Sequence, residues 1–124
     1  MATRSTISVK MKTGEIKSVY CHFDGYHAGV GKTLFENYQS QEKVESLVLL
    51  GALSSLGENI DSCVAYDRDR GEPFQIGTIW GCPLVKGIGP YYQEYNYYWD
   101  GNEWHCSAGC SNNFKKLSEL FESL

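Results

Sequence analysis

Gly31-Lys32-Thr33 is the ending of a phosphate-cradling loop, in which a glycine, any four residues and then Gly-Lys-Ser/Thr aim backbone N–H groups and a lysine at a phosphate. The count fails here, because the first glycine would have to stand at position 26, which is Tyr26. Gly25 comes one residue too early and Gly29 three too late. His22, Asp24 and His27 surround the same turn, where imidazole and carboxylate are the groups that acid–base chemistry uses. The plainer account, in which Asp24 makes an Asx-type turn and His27 is solvated, is favoured. A small-ligand or nucleotide site on the glycine-rich turn at 25–33, drawn from His22, Asp24, Tyr26, Lys32 and Thr33, is kept as the second reading.

Cys21-His22, His105-Cys106 and Cys110 carry the ligand types that zinc prefers. Adjacent residues on a strand point to opposite faces, so neither pair brings both side chains to one metal, and the chain has no Cys-x2-Cys pair. A nucleophile pair such as Cys106 with His22 would need a neighbour that depresses the thiol pKa, and spacing cannot supply one. No catalytic residue, metal or cofactor is therefore expected.

The densest charge cluster, Asp67-Arg-Asp-Arg-Gly-Glu72, is the favoured binding site. Arg68 and Arg70 suit bidentate contacts while Asp67, Asp69 and Glu72 suit basic groups, although charges pairing among themselves are a close competitor. Tyr98 is expected to join them as an exposed aromatic, since tyrosine is enriched in interface hot spots. Aromatic residues between Pro90 and Trp104 could stack on bases, but that stretch has no Lys or Arg, so direct nucleic-acid binding is not expected.

These groups need elements to hold them. Ser5–Met11 and Glu15–Phe23 alternate apolar and polar residues around Lys12-Thr13-Gly14, a hairpin signal. A three-residue loop pairs odd positions with odd, placing Ile7, Val9 and Met11 with Val19, Cys21 and Phe23, and Tyr20 and His22 on the other face. Val30, Leu34 and Tyr38 predict one helix over about 29–39. Ser40 caps a second helix that buries Val44, Leu47 and Val48 and stops at Gly51. Residues 52–59 read as an irregular surface connector, 62–66 as a strand, 67–73 as a charged loop and 74–80 as a strand. Asp100-Gly101 predicts a two-residue hairpin turn that sets Tyr97 opposite Trp104 and Tyr95 opposite Cys106. Phe114, Leu117, Leu120, Phe121 and Leu124 form a helical stripe after the possible caps at 111–113. The expected fold is α+β: an antiparallel sheet of two hairpins plus middle strands, two helices after the first hairpin, and a C-terminal helix.

Composition sets the limits. The 124 residues are 42 % hydrophobic and 21 % charged, enough for one domain with one core without disulfides. Five cysteines at irregular spacings, with no export signal visible at the N-terminus, predict reduced thiols and the cytosol. The longest apolar run is too short for a membrane span. A net charge of −4 disfavours non-specific contact with a nucleic-acid backbone and favours a basic partner surface.

Thr3-Arg-Ser-Thr-Ile7, Val19-Tyr-Cys-His-Phe-Asp-Gly-Tyr26 followed by Gly29-Val-Gly-Lys-Thr-Leu34, and Tyr66-Asp-Arg-Asp-Arg-Gly-Glu72 together resemble a family of small proteins carried by tailed bacteriophages and prophages. The stretch around Tyr20–Tyr26 is the most specific part, and His27 stands where that family has proline. The resemblance implies no catalytic residue. It implies an accessory protein in the host bacterial cytoplasm that inhibits a host defence complex, a protein or ribonucleoprotein of the kind met by anti-CRISPR and anti-restriction proteins; a monomer or homodimer is expected. Such an inhibitor meets its partner by electrostatic complementarity, although −4 is a modest charge for a DNA mimic.

Overall fold

A computed structural model describes residues 3–72, 77–79, 95–108 and 115–122. The alternation at the start of the chain does make a hairpin, β1 (Ser5–Lys10) with β2 (Ile16–Cys21). Ile7 pairs with Val19 and Ser5 with Cys21, which is the odd-with-odd register. The loop closes through Met11 N–H to the Glu15 carbonyl and Gly14 N–H to the Met11 carbonyl, at 2.8 and 2.9 Å, with Gly14 at φ +92°. That φ is where glycine is needed. Ile7, Val9, Val19 and Cys21 are buried on one face; Phe23, expected with them, is 44 % exposed beyond the strand end. On the second face Thr6 lies across from Tyr20, and Ser8 across from Ser18 with their hydroxyls 2.6 Å apart.

The expected helix over 29–39 divides into a π-helical turn, His27–Gly31, and α1 (Lys32–Asn37). The wide turn arises because the Tyr26 carbonyl accepts from both Gly29 and Gly31, while Val30 N–H reaches back 2.7 Å to the Asp24 carbonyl. α2 (Gln41–Val48) starts as expected, with Ser40 Oγ accepting from Lys43 N–H, and it ends before Gly51 at φ +81°. Val30, Leu34, Tyr38, Val44, Leu47 and Val48 are all buried against the sheet's apolar face.

Residues 52–59 do not form a surface connector throughout. β3 (Leu53–Ser55) is a short strand parallel to the end of β2, pairing Leu53 with Cys21, and Leu53 is fully buried. A 3-10 turn (Ile60–Ser62) capped reciprocally with Asn59 leads into β4 (Val64–Ala65). The charged segment is also not a loop: it is a one-turn helix, α3 (Tyr66–Arg70). Its ends explain the helix. The Asp69 carboxylate accepts from Ala65 N–H at 2.7 Å, and Gly71 at φ +66° closes the C-terminus with its N–H on the Asp67 carbonyl.

β5 (Gly77–Ile79) pairs with the start of β2, and β6 (Tyr95–Trp99), β7 (Trp104–Ala108), β8 (Lys115–Lys116) and α4 (Leu117–Glu122) complete the described chain. The strand order is β4-β3-β2-β1-β6-β7-β8, with β5 beside β2. The α+β architecture is the expected one, but the sheet is mixed: β1 runs parallel to β6 and β2 parallel to β3. Leu117 of α4 is buried. The expected positions of Phe114, Leu124 and the caps at 111–113 lie outside the described residues.

The second hairpin keeps its expected faces and shifts its partners by two. Trp99 pairs with Trp104 and Tyr97 with Cys106, so the loop has four residues rather than two. Asp100 is the reason: its Oδ1 accepts from the N–H groups of Asn102 and Glu103, both at 2.8 Å. Its Oδ2 lies 2.8 Å from His105 Nε2, and because an ionised carboxylate can only accept, that nitrogen carries the proton. Partial burial alone would raise the Asp100 pKa, but the His105 bond and the two amides outweigh it and hold the carboxyl below its ordinary value. A group whose folded pKa is depressed contributes stability above its unfolded pKa and loses it as pH falls through the folded one. Asp100→Asn is thus expected to cost about 1–2 kcal/mol at neutral pH. The gap between variant and parent, read as urea midpoints, should narrow below about pH 4. A gap that widens in acid would contradict the assignment.

Candidate functional site

β3 joins the two stretches singled out in the sequence. His22 N–H donates to the Leu53 carbonyl and Phe23 N–H to the Ser54 carbonyl, both at 3.0 Å, while Arg70 Nη2 reaches Ser54 Oγ at 3.4 Å. Strand alternation places Leu53, Cys21 and Ala65 in the core and turns Tyr20, His22, Ala52, Ser54 and Tyr66 to the second face. Continuing the β1–β2 register by one residue sets Arg4 across from His22. The face at this end of the sheet therefore combines phenols, an imidazole and two guanidinium groups.

Its internal contacts are specific. Tyr20 Oη lies 2.5 Å from His22 Nδ1, and the His22 ring meets Phe23 edge-on with centroids 4.6 Å apart. Burial raises the Tyr20 pKa, and the hydrogen-bonded Arg4 guanidinium opposes that rise only in part. Arg70 stacks over the Tyr66 ring at 5.3 Å.

The residues of the charged segment divide into two groups. Arg68 is consumed internally: Nε and Nη2 grip the Asp69 carboxylate at 3.0 and 2.9 Å, and Nη1 and Nη2 bond the carbonyls of Ile60 and Cys63 at 3.0 and 2.7 Å. The Arg68 bonds, followed by the Ala65 amide, hold the Asp69 carboxyl below its ordinary value. Asp67, Arg70 and Glu72 are exposed, and among the described residues neither Asp67 nor Glu72 has a side-chain partner. Tyr98 is not the exposed aromatic expected beside them. It lies 2 % exposed on β6, because the parallel pairing with β1 places it beside Ser8 in mid-sheet. Phe23 and Tyr26, 44 % and 42 % exposed, are the aromatics that this end presents.

Five amides of the glycine-rich turn are already engaged. The N–H groups of Gly25, Gly29, Val30, Gly31 and Lys32 already donate to backbone carbonyls. Asp24 stands at φ +57° and accepts from Tyr26 Oη at 3.3 Å. Lys32 is exposed, and Thr33 gives its carbonyl to Asn37 Nδ2 at 3.2 Å. His27, half-buried, has its pKa lowered by burial and packs edge-on against Tyr95.

Cysteine chemistry finds no support in the geometry. Burial pushes the Cys21 and Cys106 thiols up to about 12, so both are protonated at neutral pH. Cys106 pairs with Tyr97 on the core face and His22 projects from the other, so the two do not assemble a nucleophile pair. Cys110 lies outside the described residues. Among the described residues no three His, Cys, Asp or Glu side chains converge to hold a metal, and no helix is long and apolar enough to cross a membrane.

Comparison of the chain with protein-family models, with curated proteins and with solved structures gives no match. Sequence reasoning missed Arg4, Phe23, Ser54 and Tyr66. The first-hairpin register, extended by one residue, would have found Arg4; reading 52–59 as a connector hid Ser54.

Proposed function

We propose that the protein works by binding a macromolecular partner through the surface where α3 and Phe23 flank β3. In the setting that the sequence resemblance implies, that partner is a host defence complex in the bacterial cytoplasm, a protein or ribonucleoprotein, and binding inhibits it. One observation carries the reading: the Phe23 ring packs edge-on against His22, which sits beside Ser54, and Arg70 bonds the Ser54 hydroxyl, so an exposed aromatic and an exposed arginine lie at one end of the same face. Aromatic and arginine side chains supply most hot-spot energy in protein interfaces. Asp67 and Glu72 add the negative charge that suits a basic partner surface.

The test follows from the division between the two arginines. Arg68→Glu would break four internal bonds and confuse unfolding with lost binding, whereas Arg70→Glu and Phe23→Ala alter exposed groups. The double variant is expected to weaken binding to a defined defence complex by about 2 kcal/mol or more, measured by calorimetry. Glu36→Lys, an exposed change on α1, should leave it within about threefold. Equal affinity of parent and double variant would remove this surface from the proposal. The glycine-turn ligand reading stays second, since the amides of Gly25, Gly29, Val30, Gly31 and Lys32 already donate to backbone carbonyls.

A further inference from the structure

On the second face, β3 offers only small side chains between taller neighbours. Ala52 lies across from Tyr66, whose N–H donates to the Ala52 carbonyl at 3.2 Å, and Ser54 sits beside His22. Tyr20 and His22 stand on one side of these residues and Tyr66 on the other. Arg70 is propped on the Tyr66 ring and bonded to Ser54 Oγ at a long 3.4 Å. A guanidinium has five N–H donors, so most of Arg70's capacity is unspent. Arg4 approaches the Tyr20–His22 pair from the β1 side.

Among the described residues neither Arg4 nor Arg70 is in an ion pair, whereas neighbouring Arg68 is. The chain has 15 Asp and Glu against 11 Lys and Arg, so carboxylates are not scarce. Two guanidinium groups outside any ion pair among the described residues, framed by phenols and an imidazole, present donors matched to an oxyanion, with Asp67 and Glu72 exposed nearby on the α3 side. Two guanidinium forks, the Ser54 hydroxyl and whichever donor the Tyr20–His22 hydrogen bond leaves over offer more donors than a carboxylate's two oxygens accept. A phosphate's three terminal oxygens use them better.

We propose that this face binds a small phosphate monoester, with the phosphate between Arg4 and Arg70 and the organic group against the exposed ring of Phe23. The site lies outside the glycine-rich turn and is tested without any protein partner, so its failure leaves the partner-binding reading standing.

The experiment is an NMR titration of the intact protein with inorganic phosphate and, separately, with adenosine 5′-monophosphate. Both should give saturable shifts at the His22 and Phe23 amides and at the Arg4 and Arg70 Nε–H groups, with the nucleotide bound about threefold or more tighter. Arg70→Ala and Arg4→Ala should each weaken both probes by about tenfold or more. Lys32→Ala should change neither. No saturable shift up to ~20 mM of either probe would overturn the proposal. Undiminished binding in the arginine variants, or loss on Lys32→Ala, would also overturn it. Equal affinity for the two probes would overturn the placement of the organic group on Phe23.

Discussion

Trp104→Ala is expected to lose about 4 kcal/mol of folding stability, a third or more of what a domain of this size possesses. Trp104 is 2 % exposed and packs on Trp99 with centroids 5.5 Å apart, so truncation opens a large cavity where the second hairpin meets the helical layer. Its Nε1–H also donates 2.7 Å to the Tyr38 carbonyl at the end of α1. Tyr38 in turn donates its hydroxyl to the Gly57 carbonyl at 2.7 Å, so one indole ties the sheet to the helix and the helix to the segment before β4. Trp104→Phe separates the two effects: the ring is largely replaced, but the buried carbonyl is orphaned, for a loss of about 2 kcal/mol. In urea the alanine variant should unfold about 2 M earlier than the parent. A fall worth less than about 1 kcal/mol would mean that the Trp99–Trp104 pairing is not the register of this hairpin.

That register shows what the sequence made legible and where it stopped. The alternation of Tyr95, Tyr97 and Trp99 with Trp104 and Cys106 assigned faces correctly, because face depends only on parity. The pairing depended on the turn, and Asp100-Gly101 reads locally as a two-residue turn until the Asp100 side chain captures two amides and His105. Gly14 had no such competitor, and the first hairpin came out in register. β3 was hidden for another reason. Leu53-Ser-Ser55 is too short to show a period, and its burial comes from a parallel pairing with β2 that no local pattern announces.

The candidate site was read in separate pieces, His22, Asp24 and Tyr26 as part of a small-ligand turn and the charged segment as a partner-binding loop. The helix in 66–70 depends on Asp69 reaching back to Ala65, and the pairing of Arg68 with Asp69 decides which arginine keeps its donors free. Sequence spacing treats Arg68 and Arg70 as equivalent. Geometry makes the first a structural tie and the second an available donor.

Gly29→Ala is the change on which local and tertiary reasoning disagree in sign. Gly29 lies in the π-helical turn before α1 and does not have the positive φ that would demand glycine. Helix propensity alone would predict a gain of up to about 1 kcal/mol from alanine. A Cβ built there would lie 2.2 Å from the Asp24 carbonyl oxygen, a backbone atom that cannot rotate away. That oxygen accepts from Val30 N–H at 2.7 Å, and Asp24 is already held at φ +57°, so relief requires moving the turn. Displacing it also loosens Gly25, whose carbonyl takes the buried Tyr97 hydroxyl at 2.6 Å. Gly29→Ala should therefore destabilise by about 3 kcal/mol, at the upper end for overpacking. Gly14→Ala, with open space around the Cβ but φ +92°, should cost only about 1–2 kcal/mol of backbone strain. Urea midpoints rank the two, and hydrogen exchange at Val30 locates the damage: faster in Gly29→Ala by more than its global loss explains, unchanged relative to global stability in Gly14→Ala. Stabilisation by Gly29→Ala would show that the turn is free to relax. Because the same turn follows directly on Phe23, such freedom would leave that edge of the proposed binding face without a fixed support.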